Sequence, residues 1–489
     1  MTILILLIAL GVLGWGFYRA KPFGKVGMLA WSQSAVLMVP WLGFFGLFAA
    51  GIYLNLAQLL LMFVASTGLY IFLGRQLRTV SQDPAFIQPT STAAHSPDPV
   101  ESQAEKPIAQ PVELPKPDTL AIPEPDLKLI QSIFGVDTFF ATETIPYQEG
   151  AIFKGNLRGG VEPVFSRLSS NLQERLEGRY RLFLVENPDG KPVVIVLPSS
   201  SDPRPTTVPQ LLVAIGLFVA TIAASLETAG LLMGFDFFNT PTRWREVMPI
   251  ALGILAILGT HEMGHRWLAQ RHNVRLSPPF FIPTWQIGSF GALTRFESLV
   301  PSRKVLFDVA FAGPAAGGAL SLVMLLVGLL LSHPGSVFQI PSQFFQGSVL
   351  VGSLARIVLG DALQSPLVDV HPLTIVGWLG LVITALNLMP AGQLDGGRIV
   401  QAIYGRKTAQ RSTLATFVVL AIASLVNPLA LYWAVIILVL QRDLERPSLN
   451  DISEPDDTRA ALGLLVLFLM IAILLPLTPS LAGRLGIGS

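Results

Sequence analysis

His261-Glu262-Met263-Gly264-His265 sets two imidazoles four residues apart, with a carboxylate beside the first. On an α-helix the i, i+4 spacing puts both rings on one face, where they can share one tetrahedral zinc ion, and Glu262 projects next to them as a candidate general base. The chemistry open to such a set is hydrolysis, because zinc lowers the pKa of its water to about 7 and a nearby carboxylate can take the proton. The pentapeptide lies inside an apolar run, Val247 to Leu268, long enough to span a bilayer. Ionisable groups at that depth cost at least a few kcal/mol each, so they point to function. Two histidines do not complete a zinc site, and a further ligand must come from elsewhere in the chain.

There is no cysteine, which removes thiolate ligands and disulfides, and the other four histidines, His95, His272, His333 and His371, stand mostly in polar or terminal contexts. A carboxylate is therefore expected as the third ligand. Asn387-Leu388-Met389-Pro390-Ala391-Gly392-Gln393-Leu394-Asp395-Gly396-Gly397 supplies one, at the end of a later apolar span. Proline and glycine break the helix there, and the freed backbone groups must be buried in protein or line a cavity. Asp395 can cap the helix that follows or complete the zinc site, leaving a fourth position for water. If both motifs face the same side of the membrane, the ligand reading prevails.

The composition is that of a membrane protein: 51% hydrophobic, 13% charged, mean hydropathy +0.58, against about 25% charged in soluble domains. A net charge of +1 suggests no nucleic-acid partner. The fold class expected is an α-helical polytopic membrane protein of about 8–10 transmembrane helices with a small cytoplasmic α+β domain. Candidate spans are 2–18, 29–49, 52–73, 209–233, 247–268, 304–332, 371–390 and 459–477, with 413–440 either one kinked span or a hairpin at Pro428. The first run lacks a basic n-region and reads as a retained anchor. Threading the spans in order gathers Arg19, Lys21, Arg75, Arg266, Arg271, Arg398, Arg406 and Arg442 on one face, the cytoplasmic or stroma-like one. His265 and Asp395 fall toward that same face.

The expected organisation is an N-terminal transmembrane region (1–78, about three spans), a Pro-rich disordered linker (79–125), a soluble α+β domain (126–205), a membrane core (206–445), and a C-terminal span and tail (446–489). The linker holds ten prolines and cannot bury enough apolar surface to fold, so it should let the 126–205 domain move over the cytoplasmic face. In that domain helices are expected over 126–135 and 163–176 and strands over 180–185 and 192–197, the strands joined by Asn187-Pro188-Asp189-Gly190, a complete turn signal.

His-Glu-x-x-His in one span and Asn-x-x-Pro-x-x-x-x-Asp-Gly in a later one resemble the site-2 protease family of intramembrane zinc metalloproteases, peptidase family M50, over about 209–440. The Ala312–Gly318 and Gly288–Ala292 stretches agree, and Gly150–Gly159 is similar to the plant-chloroplast and cyanobacterial, EGY-like branch. No PDZ-like insertion is evident, and 1–78 match nothing in the family. The resemblance implies one Zn2+ per chain held by His261, His265 and Asp395, with Glu262 passing a proton from water to the leaving amine of a transmembrane protein substrate. It implies that Gly288, Ser289, Phe290 and Gly291 offer an edge to an extended substrate, although a glycine-rich interfacial turn explains them equally, and that Asn387 and Pro390 support the metal loop, where capping also explains Asn387. It places the chain in the plasma or thylakoid-type membrane of a cyanobacterium-like bacterium.

Other polar groups have plainer readings. Glu227 pairs with a neighbour, Asp308 either bonds the metal loop or sits at the interface, His371 lies on the wrong side for a ligand, and Gly313, Gly317 and Gly318 serve helix packing. The rival functions are an inactive scaffold that kept the fold and a metal or ion transporter, which should show repeated broken helices; neither motif recurs.

Overall fold

The computed structural model describes residues 122–487 apart from 148, 188, 285, 426, 441 and 442, and in the N-terminal part residues 11, 13–14, 16–36, 38–49, 62, 65–74 and 76. The expected spans 2–18 and 52–73 and the linker 79–125 lie largely outside the described residues. The chain divides into two compact units, 1–115 with 417–440, and 116–416 with 441–489. In the first unit the expected span 29–49 is two helices, Gly24–Val36 and Val39–Ala49. Pro40 accounts for the second start, since proline has no N–H to donate and is tolerated only in a first turn.

The second unit begins with a four-stranded antiparallel sheet, β1 (Phe139–Tyr147), β2 (Gly150–Leu157), β3 (Tyr180–Glu186) and β4 (Pro192–Pro198), in the order β1-β2-β4-β3. Helices α1 (Glu124–Gln131) and α2 (Val161–Leu176) lie against it. Alternating apolar residues drive this packing: Leu168 and Leu176 of α2 and Phe139, Phe153, Leu184, Val194 and Val196 of the strands are fully buried. Tyr180 donates to the buried Asp126 carboxylate at 2.9 Å, and burial, reinforced by that bond, pushes its hydroxyl up to about 12. β1 and β2 lie outside the strands expected from the sequence; in β1, Thr142, Glu143 and Thr144 and an irregular register between Ala141 and Glu143 blur the period-2 pattern.

The sheet is bonded to the segment that precedes the last helix of its unit. Leu184 N–H donates to Leu449 O at 2.8 Å and Asp451 N–H to Leu184 O at 3.0 Å, while Leu449 and Asn450 N–H donate to Val300 O and Pro301 O at 2.9 and 3.0 Å. The segment 449–451 thus bridges β3 and the loop at 300–301. An unpaired strand edge is a row of unsatisfied backbone groups, and this strap satisfies part of it.

Next come α3 (Val208–Leu232), α4 (Trp244–Arg271) and, after a hairpin of β5 (Phe280–Thr284) and β6 (Gly288–Leu293), α5 (Arg303–Leu331). A second hairpin, β7 (Phe338–Pro341) and β8 (Leu367–Val370), flanks α6 (Val349–Leu359). α7 (Pro372–Asn387), α8 (Asp395–Ala423) and α9 (Asp457–Leu474) follow. Among the described residues four helices are long and apolar enough to cross a bilayer: α3, α4 with the short turn before it, α5 and α9. The 28 residues of α4 reach about 42 Å, more than the ~30 Å hydrocarbon core. The expected span 371–390 is the 16-residue α7, shorter than a spanning helix, and 413–440 divides between α8 and a helix opened by Pro428, Pro428–Leu440. α8 itself breaks at Gly405, whose φ of 78° is left-handed.

α5 and α7 approach until backbone meets backbone. A methyl group on Gly377 would fall within 3 Å of Leu325 N and Cα and of Ser321 O, and one on Gly328 would strike Thr374 N. Small residues permit this approach where apolar side chains gain nothing by leaving lipid. Gly377→Ala is expected to destabilise the protein by about 1–3 kcal/mol, as overpacking does, and to lower its thermal midpoint in detergent by several degrees. Gly216→Ala, which meets nothing within 4 Å, should leave the midpoint unchanged; equal midpoints in the two variants would contradict this packing.

Candidate metal centre

The site forms where α4, α5, the end of α7 and the start of α8 converge. His261, Glu262 and His265 lie in the C-terminal half of α4 and are all buried. His261 Nε2 is 3.1 Å from His265 Nε2 and 3.1 Å from Asp395 Oδ2, and His265 Nε2 is 3.4 Å from that same oxygen. Donor atoms set tetrahedrally around zinc at 2.0–2.1 Å stand about 3.3 Å apart, so this triangle has the right size for one ion. A carboxylate oxygen of Glu262 lies within 4.8 Å of a ring nitrogen of each histidine.

Both imidazoles are seated on glycine. A methyl group on Gly313 would overlap the His265 ring, and one on Gly317 would come to 2.9 Å from His261 Cβ. Gly264 has the same role in reverse, for its methyl group would meet Ala312 O at 2.5 Å. Of the three glycines expected to serve helix packing, Gly313 and Gly317 therefore make room for the histidines themselves, while Gly318 faces Thr384. Pro314, inside α5, cannot serve the Ala310 carbonyl, and one residue earlier Val309 O is 2.7 Å from His265 Nδ1. With Nδ1–H donating to that carbonyl, Nε2 is left with its lone pair toward the centre.

Asp395 is brought in by a tight break. Gly392, with φ of 50°, has its N–H bound to Thr413 Oγ1 at 2.9 Å, and Pro390 O accepts from Thr416 Oγ1 at 3.4 Å. Methyl groups on Gly396 and Gly397 would strike Leu388 O and Gly392 O, so Asp-Gly-Gly is the composition that lets α8 start against the loop before it. Asn387 donates to Ile383 O at 2.8 Å and to Phe290 O at 3.0 Å, which pins β6 to the end of α7. Gly288 (φ 85°) and Gly291 (φ 108°) take left-handed backbone in that strand, and Ser289 Oγ donates within the hairpin, 3.0 Å from Ile282 O and from Gly291 O. The main chain after β6 then enters the site: Thr294 Oγ1 donates to Glu262 Oε2 at 2.8 Å.

The remaining polar residues fall elsewhere. Asp308 takes Arg459 at 2.7 and 2.8 Å and faces His272 Nε2 at 3.3 Å, so it joins α5 to α9 instead of supporting the metal loop. Glu227 accepts Phe237 N–H at 3.0 Å, His371 caps α7, and Asp189 is exposed in its turn, where Asn187 Oδ1 accepts the Asp189 N–H at 2.9 Å. Sequence reasoning missed Thr294, Arg398 and Glu445. The available signals were a Thr directly after a glycine-rich strand and an Arg one helical turn beyond Asp395.

Residues 249–426 match peptidase family M50, and residues 128–204 match the EGY3 middle domain. Among curated proteins the chain is 40% identical over 356 residues to "Probable zinc metalloprotease EGY2, chloroplastic" of Arabidopsis thaliana, covering 70% of this chain and 63% of the relative. It is 39% identical over 401 residues to "Probable zinc metalloprotease EGY1, chloroplastic" of the same plant, covering 74% and 73%. To "Probable zinc metallopeptidase EGY3, chloroplastic" it is 32% identical over 375 residues, covering 72% and 65%. No solved structure matches. These relatives overturn the expectation of a bacterial membrane, since they are chloroplast proteins of plants. The physical reason is that apolar span length and Lys/Arg bias report a bilayer and a direction, and bacterial and chloroplast bilayers are alike in both.

Gly313→Ala is expected to displace the His265 ring and so lower the zinc content per purified chain, while the protein still folds, because alanine suits a helix interior. Gly318→Ala, whose methyl group would meet only Thr384 Cγ2 at 3.3 Å, should keep its zinc. Undiminished zinc in Gly313→Ala would show that the ring is not seated against α5.

Proposed function

Since the chain belongs to peptidase family M50, in the EGY-like branch of the site-2 proteases, we propose that it is an intramembrane zinc metalloprotease that cleaves peptide bonds of membrane-spanning protein substrates. The observation that carries this reading is the buried triangle of His261 Nε2, His265 Nε2 and Asp395 Oδ2, 3.1–3.4 Å on a side, with a second carboxylate, Glu262, beside it and not in it. The "chloroplastic" names of the relatives support a chloroplast membrane as its location.

In this reading His261, His265 and Asp395 would hold one Zn2+, and when bound it would supply Lewis acidity, lowering the pKa of a water to about 7 and polarising the scissile carbonyl. Glu262 takes the water's proton at a carboxylate oxygen and returns it to the leaving amine nitrogen. His265 is held in one tautomer by its bond to Val309 O, which keeps Nε2 available. The substrate must be extended, since a helical peptide bond hides its carbonyl in the i to i−4 ladder. β6 ends at Leu293, one residue before the Glu262 partner, so a strand laid along β6 would run toward the carboxylate. The sheet of 126–205 contributes no ligand in this scheme and serves to present or select substrates.

Glu262→Gln should keep its zinc and its fold and lose cleavage of a single-span test substrate by at least ~100-fold, because an amide cannot accept the proton. Turnover within about tenfold of wild type would place the base elsewhere. Asp395→Asn should impair both zinc binding and cleavage, whereas Asp189→Asn, an exposed turn change of small effect, should impair neither. Equal losses in the two Asp variants would remove Asp395 from the site.

A further inference from the structure

A glutamate on a helix has three side-chain torsions that the helix itself does not set, yet a base must meet the reacting water in one geometry. Glu262 Oε2 accepts Thr294 Oγ1 at 2.8 Å, and both residues are buried. The Thr294 carbonyl in turn accepts Arg398 Nη2 at 2.8 Å. Arg398 is on α8, one turn beyond Asp395, and its guanidinium lies 4.9 Å from the centroid of the Phe296 ring. It pairs with Glu445 Oε2, through Nε at 3.0 Å and Nη2 at 2.8 Å. The Glu445 carbonyl is held by Gln401 Nε2 at 3.1 Å and by Arg406, and Glu445 stands just before the strap that pairs with β3.

Arg398 and Glu445 are 6% and 8% exposed. Desolvating such a pair costs several kcal/mol per ion, and apolar residues of similar size usually stabilise a protein as well or better. Stability therefore does not explain the pair, whereas a fixed position for the Thr294 backbone does. Resting on the reading of Glu262 as the base, we infer that Thr294 is a positioning residue for Glu262 and that the Arg398–Glu445 pair holds Thr294 in place. The hydroxyl occupies Oε2 and leaves Oε1 to exchange the proton. Oε2 remains an acceptor when the proton is on Oε1, so the same bond holds the side chain through both halves of the transfer.

The test uses the full-length zinc-loaded protein in lipid, with Thr294→Val, which is nearly isosteric and lacks the hydroxyl, Thr294→Ser, which keeps it, and Glu445→Gln. Thr294→Val should retain wild-type zinc content and thermal midpoint, lose ~10- to 100-fold in kcat and change KM less than about twofold; Thr294→Ser should recover most of the kcat. Glu445→Gln, which touches neither Glu262 nor the candidate ligands, should show the same kcat-selective loss to a smaller degree. Wild-type kcat in Thr294→Val beside an inactive Glu262→Gln, or equal losses in Thr294→Val and Thr294→Ser, would overturn the inference. Should Thr294→Val fail to fold, Thr294→Ser and Glu445→Gln decide it: full kcat in Glu445→Gln, or a Ser variant that folds but has lost its activity, overturns it. An active Glu262→Gln would instead sink the underlying assignment of the base, which separates the two failures.

Discussion

The backbone of α4 and α5 comes together at Gly264, Gly313 and Gly317, and everything at the candidate metal centre depends on that approach. Imidazoles inside an apolar helix pair need a space from which both lipid and other side chains are excluded, because a polar group left unsatisfied there costs several kcal/mol. Glycine provides the space by omission. His265 fills the volume over Gly313 and reaches the Val309 carbonyl on the same helix, so α5 is at once the floor of the site and the group that fixes the ring's tautomer. Gly264, which admits α5, lies within the His261–His265 pentapeptide itself, so close packing and chemistry share that stretch of α4.

The second requirement is a carboxylate that arrives from a different helix without dragging unsatisfied backbone into the membrane. Helix α7 stops at Asn387, and the loop through Leu394 satisfies its polar groups within the protein: Gly392 N–H on Thr413, Pro390 O on Thr416, the Asn387 amide on Ile383 O and Phe290 O. Irregular backbone at membrane depth is tolerable only under such cover. At the other end of this first part of α8, Arg303 donates to Ala402 O and Ile403 O at 2.7 Å each. A guanidinium on the last carbonyls opposes the helix dipole and fixes the segment that carries Asp395.

Strand β6 links the end of α7 to the buried carboxylate of α4. Asn387 holds one end of that strand against α7, and Thr294, just past its other end, holds Glu262. The segment from Glu445 to Asp451 is bonded to Arg398 on one side and to β3 of the four-stranded sheet on the other. The sheet is thus part of the same compact unit as the candidate centre and is tied to it by backbone bonds.

Much of this was legible in one dimension. The i, i+4 histidines, the apolar spans over 209–233, 247–268, 304–332 and 459–477, the Pro-Gly break before Asp395 and the family resemblance are all local patterns, because helix period, span length and turn chemistry act between residues close in the chain. What the tertiary structure alone decided are the pairings between distant residues: Gly313 beneath His265, Thr294 on Glu262 at a separation of 32, and Arg398 with Glu445 at a separation of 47. No periodicity encodes them, since each is fixed by how close two backbones come. β1 and the strap were hidden for a related reason: their residues look polar or irregular in sequence, and only a neighbouring strand edge with unsatisfied N–H and C=O groups makes them structure.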